Sequence, residues 1–284
     1  MRRTSPVPYI FLAPYFLIFF TFWAWPIIES FRLSFQNTRS PAAGFTLFNW
    51  ARLPSDPAFW AATKNTFFIL GVQVPIMLVL ATLLAIALNS QMLKAKGLFR
   101  FAFFAPVVVG EVAYSAVFRL LFNGDYGAVN HALRSIGLPA PDWLNQPGTA
   151  MAVLILVITW RWTGYNAIII LAGLQSIPKD LYEAAHLDGI SPWRQFWRIT
   201  VPLLRPVLLF TFVLSIIGTL QLFTEPWLVT QGGPGGATET LGTYLYRTGF
   251  RSFNFGYASA IAYSVALMAA AFSIFQILVF GREK

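Results

Sequence analysis

The chain has 284 residues, of which 57% are hydrophobic and only 11% are charged, and its mean hydropathy is +0.62. So few polar residues cannot give this much apolar mass a water-facing surface, which excludes an ordinary soluble domain and indicates a membrane protein. The chain has no cysteine, which also excludes disulfides, thiolate metal sites and thiol nucleophiles.

Six stretches are apolar and long enough to cross a bilayer, which takes about 20 residues in a helix. They run over 9–28, 66–88, 101–122, 150–174, 207–228 and 257–280. Their apolar residues are continuous rather than alternating, which is typical of helices and not of barrel strands. The sequence therefore predicts an all-α membrane protein with six transmembrane helices, in which residues 1–284 form a single membrane domain.

The first span follows Arg2 and Arg3 but is too long for a cleaved signal peptide, so it is predicted to be retained. Positive charge then sets the orientation. With the amino terminus inside, eleven of the 20 Lys and Arg residues fall in the inside segments and eight in the longer outside segments. This predicts a multi-pass protein with both termini cytoplasmic. Topology and anionic lipid explain the net charge of +9, and no nucleic-acid partner is predicted.

Two ionisable residues are predicted deep in the membrane, where a charge is costly and usually faces a bundle interior or a water-filled path. Glu111 lies near the middle of the third span and Arg161 near the middle of the fourth. One hypothesis is that aromatic and hydrogen-bonding groups here line a path for a sugar; these are Glu111, Trp160, Arg161, Tyr165 and Asn166. The alternative is a buried ion pair between Arg161 and Glu111 that only fixes helix packing.

A polar segment, 176–202, is predicted to lie inside, between the fourth and fifth spans. Ser176 can cap a helix, and Pro178 fits a first helical turn because its missing N–H costs nothing there. The predicted helix runs from Lys179 to Leu187. Gly189 then supplies the left-handed conformation that ends it.

The fifth span adds two polar residues near its outer half. Gln221 and Glu225 are one helical turn apart and so share one face, which makes them further candidates for the path. Gly71 and Gly218 are predicted to let helices approach closely, as small residues do in membrane interfaces.

No constellation in the sequence predicts catalysis or a metal site. His131 and His186 are far apart, and neither has a second ligand at helical spacing. None of the five lysines follows a phosphate-binding loop pattern. The glycine-rich segment 232–236 lacks the lysine of that pattern and is predicted to lie outside, so it is not expected to be a nucleotide-binding loop.

The inside segment resembles the cytoplasmic signature of permease subunits of binding-protein-dependent ABC importers. In that family Glu-Ala-Ala is followed after three residues by Gly, and after nine more by Ile-x-Leu-Pro. The matching residues are Glu183, Ala184, Ala185, Gly189, Ile199 and Pro202, and Val201 stands at the leucine position. The likeness extends over most of the chain and is strongest to the carbohydrate-importer branch, with maltose-type and glycerol-phosphate-type permeases. It is also carried by 171–178, 230–234 and 255–260.

The resemblance implies a coupling helix that docks in a groove on a cytoplasmic ATPase subunit. Its contact residues would be Glu183, Ala184, Ala185, His186, Asp188 and Gly189. It also implies a second permease, two ATPase subunits that hold ATP and Mg, an extracytoplasmic solute-binding protein and a bacterial-type inner membrane. The segment 232–236 is then either a loop near the docked binding protein or a flexible turn.

The predicted function is that of a transmembrane subunit of an ATP-driven sugar importer. No catalytic residue, metal or cofactor is expected on this chain itself. One alternative is an ATP-independent secondary transporter or channel for a small polar solute, which would need ion sites or charge relays in the spans. A third class, an intramembrane enzyme, has no acid-base constellation to support it. The sequence leaves open which sugar is carried.

Overall fold

A computed structural model describes residues 7–37, 44–90 and 92–280. Within these ranges the chain is helical, and the one β pairing is a single bridge between Gln36 and Phe45. The helices are α1 (Val7–Phe19), α2 (Trp25–Ser34), α3 (Phe48–Arg52), α4 (Pro57–Asn89), α5 (Lys96–Val108), α6 (Glu111–Leu121), α7 (Ala128–Ser135), α8 (Pro147–Gln175), α9 (Lys179–Leu187), α10 (Pro192–Gln195), α11 (Val201–Leu220), α12 (Leu241–Tyr246) and α13 (Phe255–Phe280). The predicted all-α fold is confirmed.

Five helical stretches of the described chain are long and apolar enough to cross a membrane, and one bent pair of helices can supply a sixth crossing. The five are Tyr9–Ser34, Pro57–Asn89, Pro147–Gln175, Pro192–Leu220 and Phe255–Gln276. Several begin before the predicted spans. One of them is α4, which starts nine residues before the predicted span 66–88, because Pro57 fits a first helical turn.

The third predicted span is broken in the middle. α5 ends at Val108, α6 begins at Glu111, and the two helices are bent by 94°. Val109 and Gly110 between them have extended ψ angles of 133° and 136°. Pro106 removes a backbone donor close to this end of α5. The expectation of one continuous helix over 101–122 is therefore wrong, since the apolar run continues across a break that hydropathy does not register.

The fifth predicted span also ends early. α11 stops at Leu220 rather than at residue 228. After an irregular stretch, a separate π-helical turn covers Pro226–Thr230. Pro226 has no N–H to donate to the carbonyl of Leu222. That carbonyl accepts a hydrogen bond from Thr240 Oγ1 at 2.6 Å instead. A side chain distant in sequence thus replaces the missing helical bond.

The described chain forms two compact units. The first comprises the described parts of Met1–Trp60 with Tyr244–Leu267, and the second comprises Ala61–Thr243 with the described parts of Met268–Lys284. The prediction of a single membrane domain stays a prediction.

In the first unit, the buried carboxylate of Asp56 joins three segments. Its Oδ2 accepts hydrogen bonds from the hydroxyls of Tyr244 and Tyr257, each at 2.6 Å. Its Oδ1 accepts from the backbone N–H of Ala58 at 3.0 Å, which caps the start of α4. The Arg52 guanidinium lies 3.8 Å from Oδ2 and 4.2 Å from the centre of the Tyr257 ring.

The Asp56 carboxylate is expected to make this unit sensitive to acid. Burial alone raises the pKa of Asp56, but the hydrogen bonds from two tyrosines and two backbone amides outweigh it and lower the pKa below its usual value. Burial and the bond to this carboxylate raise the pKa of Tyr244 to about 12. Because the folded-state pKa of Asp56 is the lower one, its stabilisation is present above the unfolded-state pKa and is lost as the pH falls through the folded-state value.

We expect Asp56→Asn to lower the free energy of unfolding by about 1–3 kcal/mol at neutral pH. The difference from wild type should shrink below about pH 4, where the carboxyl group of the unfolded chain begins to bind a proton while the native carboxylate, with its lower pKa, is still ionised. Thermal unfolding over a pH series measures it, with the exposed Asp125→Asn as the control. A difference that stays constant down to the most acidic pH would contradict this assignment.

In the second unit, α8 packs against α5 and α11. A core of small and branched apolar side chains from α4, α8 and α11 holds one end of these helices together; its buried members include Ala81, Ala85, Leu88, Ala167, Ile170, Leu171, Leu174 and Leu204. The alanines keep this layer thin, so that the helix backbones can approach closely.

Glycine at two positions of α8 permits the closest helix contacts. A Cβ added at Gly164 would overlap the carbonyl oxygen of Phe103 in α5, and one added at Gly173 would lie 2.9 Å from a methyl carbon of Val207 in α11. By contrast, no atom of the described residues outside the backbone of their own helix lies within 4 Å of a Cβ added at Gly71 or Gly218. Within the described part of the chain the predicted contact role of these last two glycines is therefore wrong.

The glycine-rich segment 232–236 is anchored rather than free. The Asn65 side chain donates to the carbonyls of Gly236 and Glu239 at 2.9 and 3.0 Å. Thr230 and Thr238 are buried and their hydroxyls are 2.7 Å apart. The loop therefore has a defined path against α4, and the alternative of a flexible turn is not supported.

Candidate functional site

The polar segment after α8 forms α9, with the bounds predicted from the sequence. Gly189 adopts a left-handed φ of 70° just after its end. The N–H of Gly189 donates to the carbonyl of His186 at 3.0 Å, and that of Ile190 donates to the carbonyl of Ala185 at 2.9 Å. These two bonds form a Schellman ending, which satisfies carbonyls that the last turn leaves without partners.

The start of α9 differs from the prediction. The residue before the helix is Pro178, and no side chain caps it. Ser176 Oγ donates instead to the carbonyl of Gly173 at 2.8 Å, so it closes the end of α8. The predicted capping role of Ser176 is wrong, because the hydroxyl reaches back to the helix it follows.

One face of α9 is open and the other is covered by the same unit. The exposed residues are Glu183, Ala184, His186, Asp188 and Gly189. Ala185, which the resemblance places among the contact residues, is only 5% exposed and faces its own chain. The open face also carries Leu187, an apolar side chain that is 87% exposed.

Contacts before and after α9 join it to the membrane helices α8 and α11. Ile177, just before it, is part of the core formed by α4, α8 and α11, and Tyr182 packs against that core. The hydroxyls of Tyr182 and Thr200 are 2.9 Å apart, and Gln195 Nε2 donates to the carbonyl of Ile190 at 2.8 Å. A displacement of α9 therefore acts directly on the ends of α8 and α11.

A second candidate site is a cavity of about 220 Å³ within the second unit. Its lining includes six residues that the sequence analysis proposed, namely Glu111, Arg161, Tyr165, Asn166, Gln221 and Glu225. The rest of the lining includes Gln73, Met77, Trp162, Phe223 and Thr224. Polar and aromatic side chains thus converge in one membrane cavity.

Arg161 is the centre of an ionic cluster at this cavity, in which Arg161 and Glu225 are buried and Glu111 is partly exposed. Its Nη2 donates to Glu111 Oε1 at 2.7 Å, and its Nη1 lies 3.4 Å from Glu225 Oε1. Nη1 also donates to the Tyr114 hydroxyl, which in turn donates to Glu225 Oε1 at 2.8 Å. The expected pairing of Arg161 with Glu111 is present, and Glu225 and Tyr114 extend it. The side chains both tie α6 and α8 together and face a cavity, so the two hypotheses for Arg161 are compatible.

The helix breaks described above place both carboxylates at the cavity. Glu111 is the first residue of α6, at the break in the third span, and its carboxylate lies at the positive end of that helix. Glu225 follows the end of α11 and is 3% exposed. Gln221 and Glu225 do line one cavity, but they do so across an irregular segment rather than from one face of a helix.

Trp160 does not line the cavity. Its ring packs on Tyr114 and Phe118, with centroids 5.7 and 5.0 Å away. One face of α8 carries Arg161, Trp162 and Tyr165 at helical spacing. Trp160 is turned away from that face. The neighbouring Trp162 takes the place that the sequence analysis gave to Trp160.

Other residues of the cavity and of the ionic cluster beside it escaped sequence reasoning. Tyr114 lies in an apolar stretch of α6, and its hydroxyl finds its partners on segments 47 and 111 residues away. Gln73 could have been recognised from the sequence, since it is a polar amide inside a predicted span. A search for every polar residue within the spans, rather than only for charged ones, would have included it.

These helices have the arrangement of a solved transporter. A chain in the crystal structure of a bacterial alginate ABC transporter in complex with an alginate pentasaccharide-bound periplasmic protein matches with a TM-score of 0.82 and 25% identity, over 95% of this chain and 92% of that chain. The family described as binding-protein-dependent transport system inner membrane component matches residues 59–283. This chain belongs to that family. The resemblance carried by the segment around Glu183 is therefore confirmed.

Two relatives show where this inner membrane component lies within the family. The lactose transport system permease protein LacF of Rhizobium radiobacter is 43% identical over 274 residues, which cover 94% of this chain and 92% of the relative. The arabinooligosaccharides transport system permease protein AraP of Bacillus subtilis strain 168 is 36% identical over 284 residues, with 98% and 89% covered. The permease is thus a multi-pass inner membrane protein with relatives of nearly its own length.

Proposed function

We propose that this permease is one of two membrane subunits of an ATP-driven sugar importer. The observation that carries the proposal is the likeness over nearly the full chain to a lactose permease and an arabinooligosaccharide permease. The polar and aromatic cavity around Arg161 supports it, since such a lining suits a solute rich in hydroxyl groups. An ATP-independent transporter is set aside because the chain belongs to a binding-protein-dependent family.

The partners follow from the same proposal. A second permease completes the translocation path, and two cytoplasmic ATPase subunits bind ATP and Mg and dock on the open face of α9. An extracytoplasmic binding protein delivers the sugar from the other side of the membrane. The solved complex of the alginate transporter with its periplasmic protein supports this last partner. The denser Lys and Arg content of the segments on the α9 side supports cytoplasmic termini.

The contacts of α9 explain how ATP binding would reach the cavity. Closure of the ATPase subunits moves α9, and the bond between Tyr182 and Thr200 carries that movement to the start of α11. Ile177 and Tyr182 carry it to the core that α8 shares with α4. Since α8 holds Arg161, a rigid displacement of these helices changes access to the cavity, which is alternating access between two states.

Sugar uptake by the complete transporter tests the proposal. The permease is expressed with its partner permease, ATPase and binding protein in cells that lack sugar importers, and uptake of labelled lactose and arabinooligosaccharides is measured. Uptake should require the permease and should stop when the ATPase subunits are made catalytically inactive. Uptake that persists with an inactive ATPase would refute ATP-driven import, and failure to take up any saccharide would refute the sugar assignment.

Gly189→Ala is expected to weaken coupling without disrupting the membrane helices. A left-handed φ costs a non-glycine residue about 1–2 kcal/mol, which lowers the ratio of intact to frayed helix ends by about five- to thirtyfold. Hydrolysis of ATP stimulated by the sugar-loaded binding protein should fall accordingly. Gly137→Ala is the matched control, because its φ of 75° carries similar strain and no neighbouring atom lies within 4 Å of either added Cβ. Equal stimulation in the two variants would show that the end of α9 does not matter for coupling.

A further inference from the structure

The cavity in the second unit carries an excess of negative charge. Among the residues that line it, the charged side chains are one guanidinium, Arg161, and two carboxylates, Glu111 and Glu225. Both carboxylates accept hydrogen bonds from donors of the cluster. One positive and two negative side chains line the cavity, so their formal charges sum to −1.

The guanidinium is already committed to these carboxylates. Its Nη2 is bonded to Glu111, and its Nη1 is bonded to Tyr114 and lies near Glu225. An arginine binds an incoming carboxylate best through two parallel N–H donors, and both terminal nitrogens of this one already have partners. A carboxylate on the solute would thus enter beside two like charges and compete with them for the one cation that lines the cavity.

Two buried donors at the cavity have no partner among the described residues. They are Nε2 of Gln73 and Nε of Arg161, on side chains whose residues are 2% and 7% exposed. A buried donor that is left unpaired costs free energy, so a ligand that supplies an acceptor after a small shift of the side chain recovers part of that amount. N–H donors of this kind match the hydroxyl and ring oxygens of an uncharged saccharide.

The remaining wall is apolar and aromatic. The rings of Trp162 and Tyr165 stand edge to face with their centroids 5.7 Å apart, and Phe223 also lines the cavity. Such rings offer flat faces to the C–H groups of a sugar ring while the donors take its oxygens.

We propose that this cavity selects uncharged saccharides and rejects those that carry a carboxylate. The inference rests on the proposed function and names the substrate class of the same site. Selection arises in the permease itself, because the net negative wall and the committed guanidinium belong to this chain. Any preference of the binding protein comes in addition.

The test measures binding to the assembled transporter in lipid nanodiscs without its binding protein. The probes are lactose and the acid in which the galactosyl 6-hydroxymethyl group is oxidised to a carboxylate, so that the pair differs at one group. Tryptophan fluorescence, to which Trp162 contributes, reports binding. Wild type should bind lactose at least about tenfold more tightly than the acid, as like charges close together in a protein require.

Glu225→Gln sharpens the test because it removes one negative charge and keeps an oxygen that can accept from Tyr114. In this variant the preference for lactose should fall to about threefold or less, while Asp125→Asn, an exposed carboxylate outside the cavity, should leave it unchanged. Equal or tighter binding of the acid by wild type would overturn the selection, even if lactose uptake is normal. If neither probe binds and no saccharide is taken up, the proposed function itself has failed.

Discussion

Replacing Gly164 with alanine is expected to prevent the second unit from packing. The added Cβ would overlap the carbonyl oxygen of Phe103, which is backbone within α5 and cannot rotate away. α5 would have to move off α8 as a whole, and overpacking of this kind costs about 1–3 kcal/mol or more. We expect the variant to yield little monodisperse transporter, with a clearly lowered unfolding temperature in what remains.

Gly71→Ala is the matched control for this prediction. It makes the same chemical change within a long membrane helix, at a position where no described atom outside the backbone of that helix lies within 4 Å of the added Cβ. Alanine is the better helix former by about 1 kcal/mol, so this variant should be as stable as wild type or more stable. If Gly164→Ala assembles and unfolds like Gly71→Ala, the close crossing of α5 and α8 is not a feature of the folded permease.

Arg161→Ala is expected to lower the amount of assembled transporter severely. It leaves the carboxylate of Glu225, on a residue only 3% exposed, without its cation. Breaking a buried ion pair from one side costs about 3–5 kcal/mol, because the remaining charge stays buried. Yield and thermal stability of the purified transporter measure the effect.

A second substitution separates the structural role of Arg161 from its role in transport. Arg161→Met with Glu225→Gln removes both charges of the more buried pair and keeps most of the volume. The Glu111 side chain, which also loses its cation, is 44% exposed, so assembly should largely recover. Sugar uptake by this double variant should remain low, because Arg161 also lines the cavity. Recovery of both assembly and uptake would mean that Arg161 only fixes helix packing.

The segment around α9 could be predicted almost residue by residue, because its bounds depend on local chemistry. Pro178 and Gly189 set its start and end within a few residues of the bonds they affect. The break at Val109 and Gly110 could not be predicted in this way. Hydropathy averages over a window, and both halves of the third span are apolar.

The cavity and the ionic cluster beside it could be predicted only in part, because a sequence pattern reports local features. Arg161 and Glu111 were found because charges within apolar runs are conspicuous. Tyr114 and Trp162 were not, since an aromatic residue in a span gives no sign of what it faces. The end of α11 depends on a bond from Thr240 to the carbonyl of Leu222, which joins positions 18 residues apart and leaves no local pattern.

Coupling through the open face of α9 links ATP hydrolysis to transport, and ATPase co-purification tests this coupling most directly. Glu183→Arg with Leu187→Asp changes two exposed side chains of that face and leaves the buried Ala185 in place. Leu138→Asp alters an exposed leucine in the segment predicted to lie on the opposite side of the membrane. We expect the α9 variant to be purified without its ATPase subunits and the Leu138 variant to retain them. Stoichiometric ATPase and full sugar-stimulated hydrolysis in the α9 variant would contradict the account.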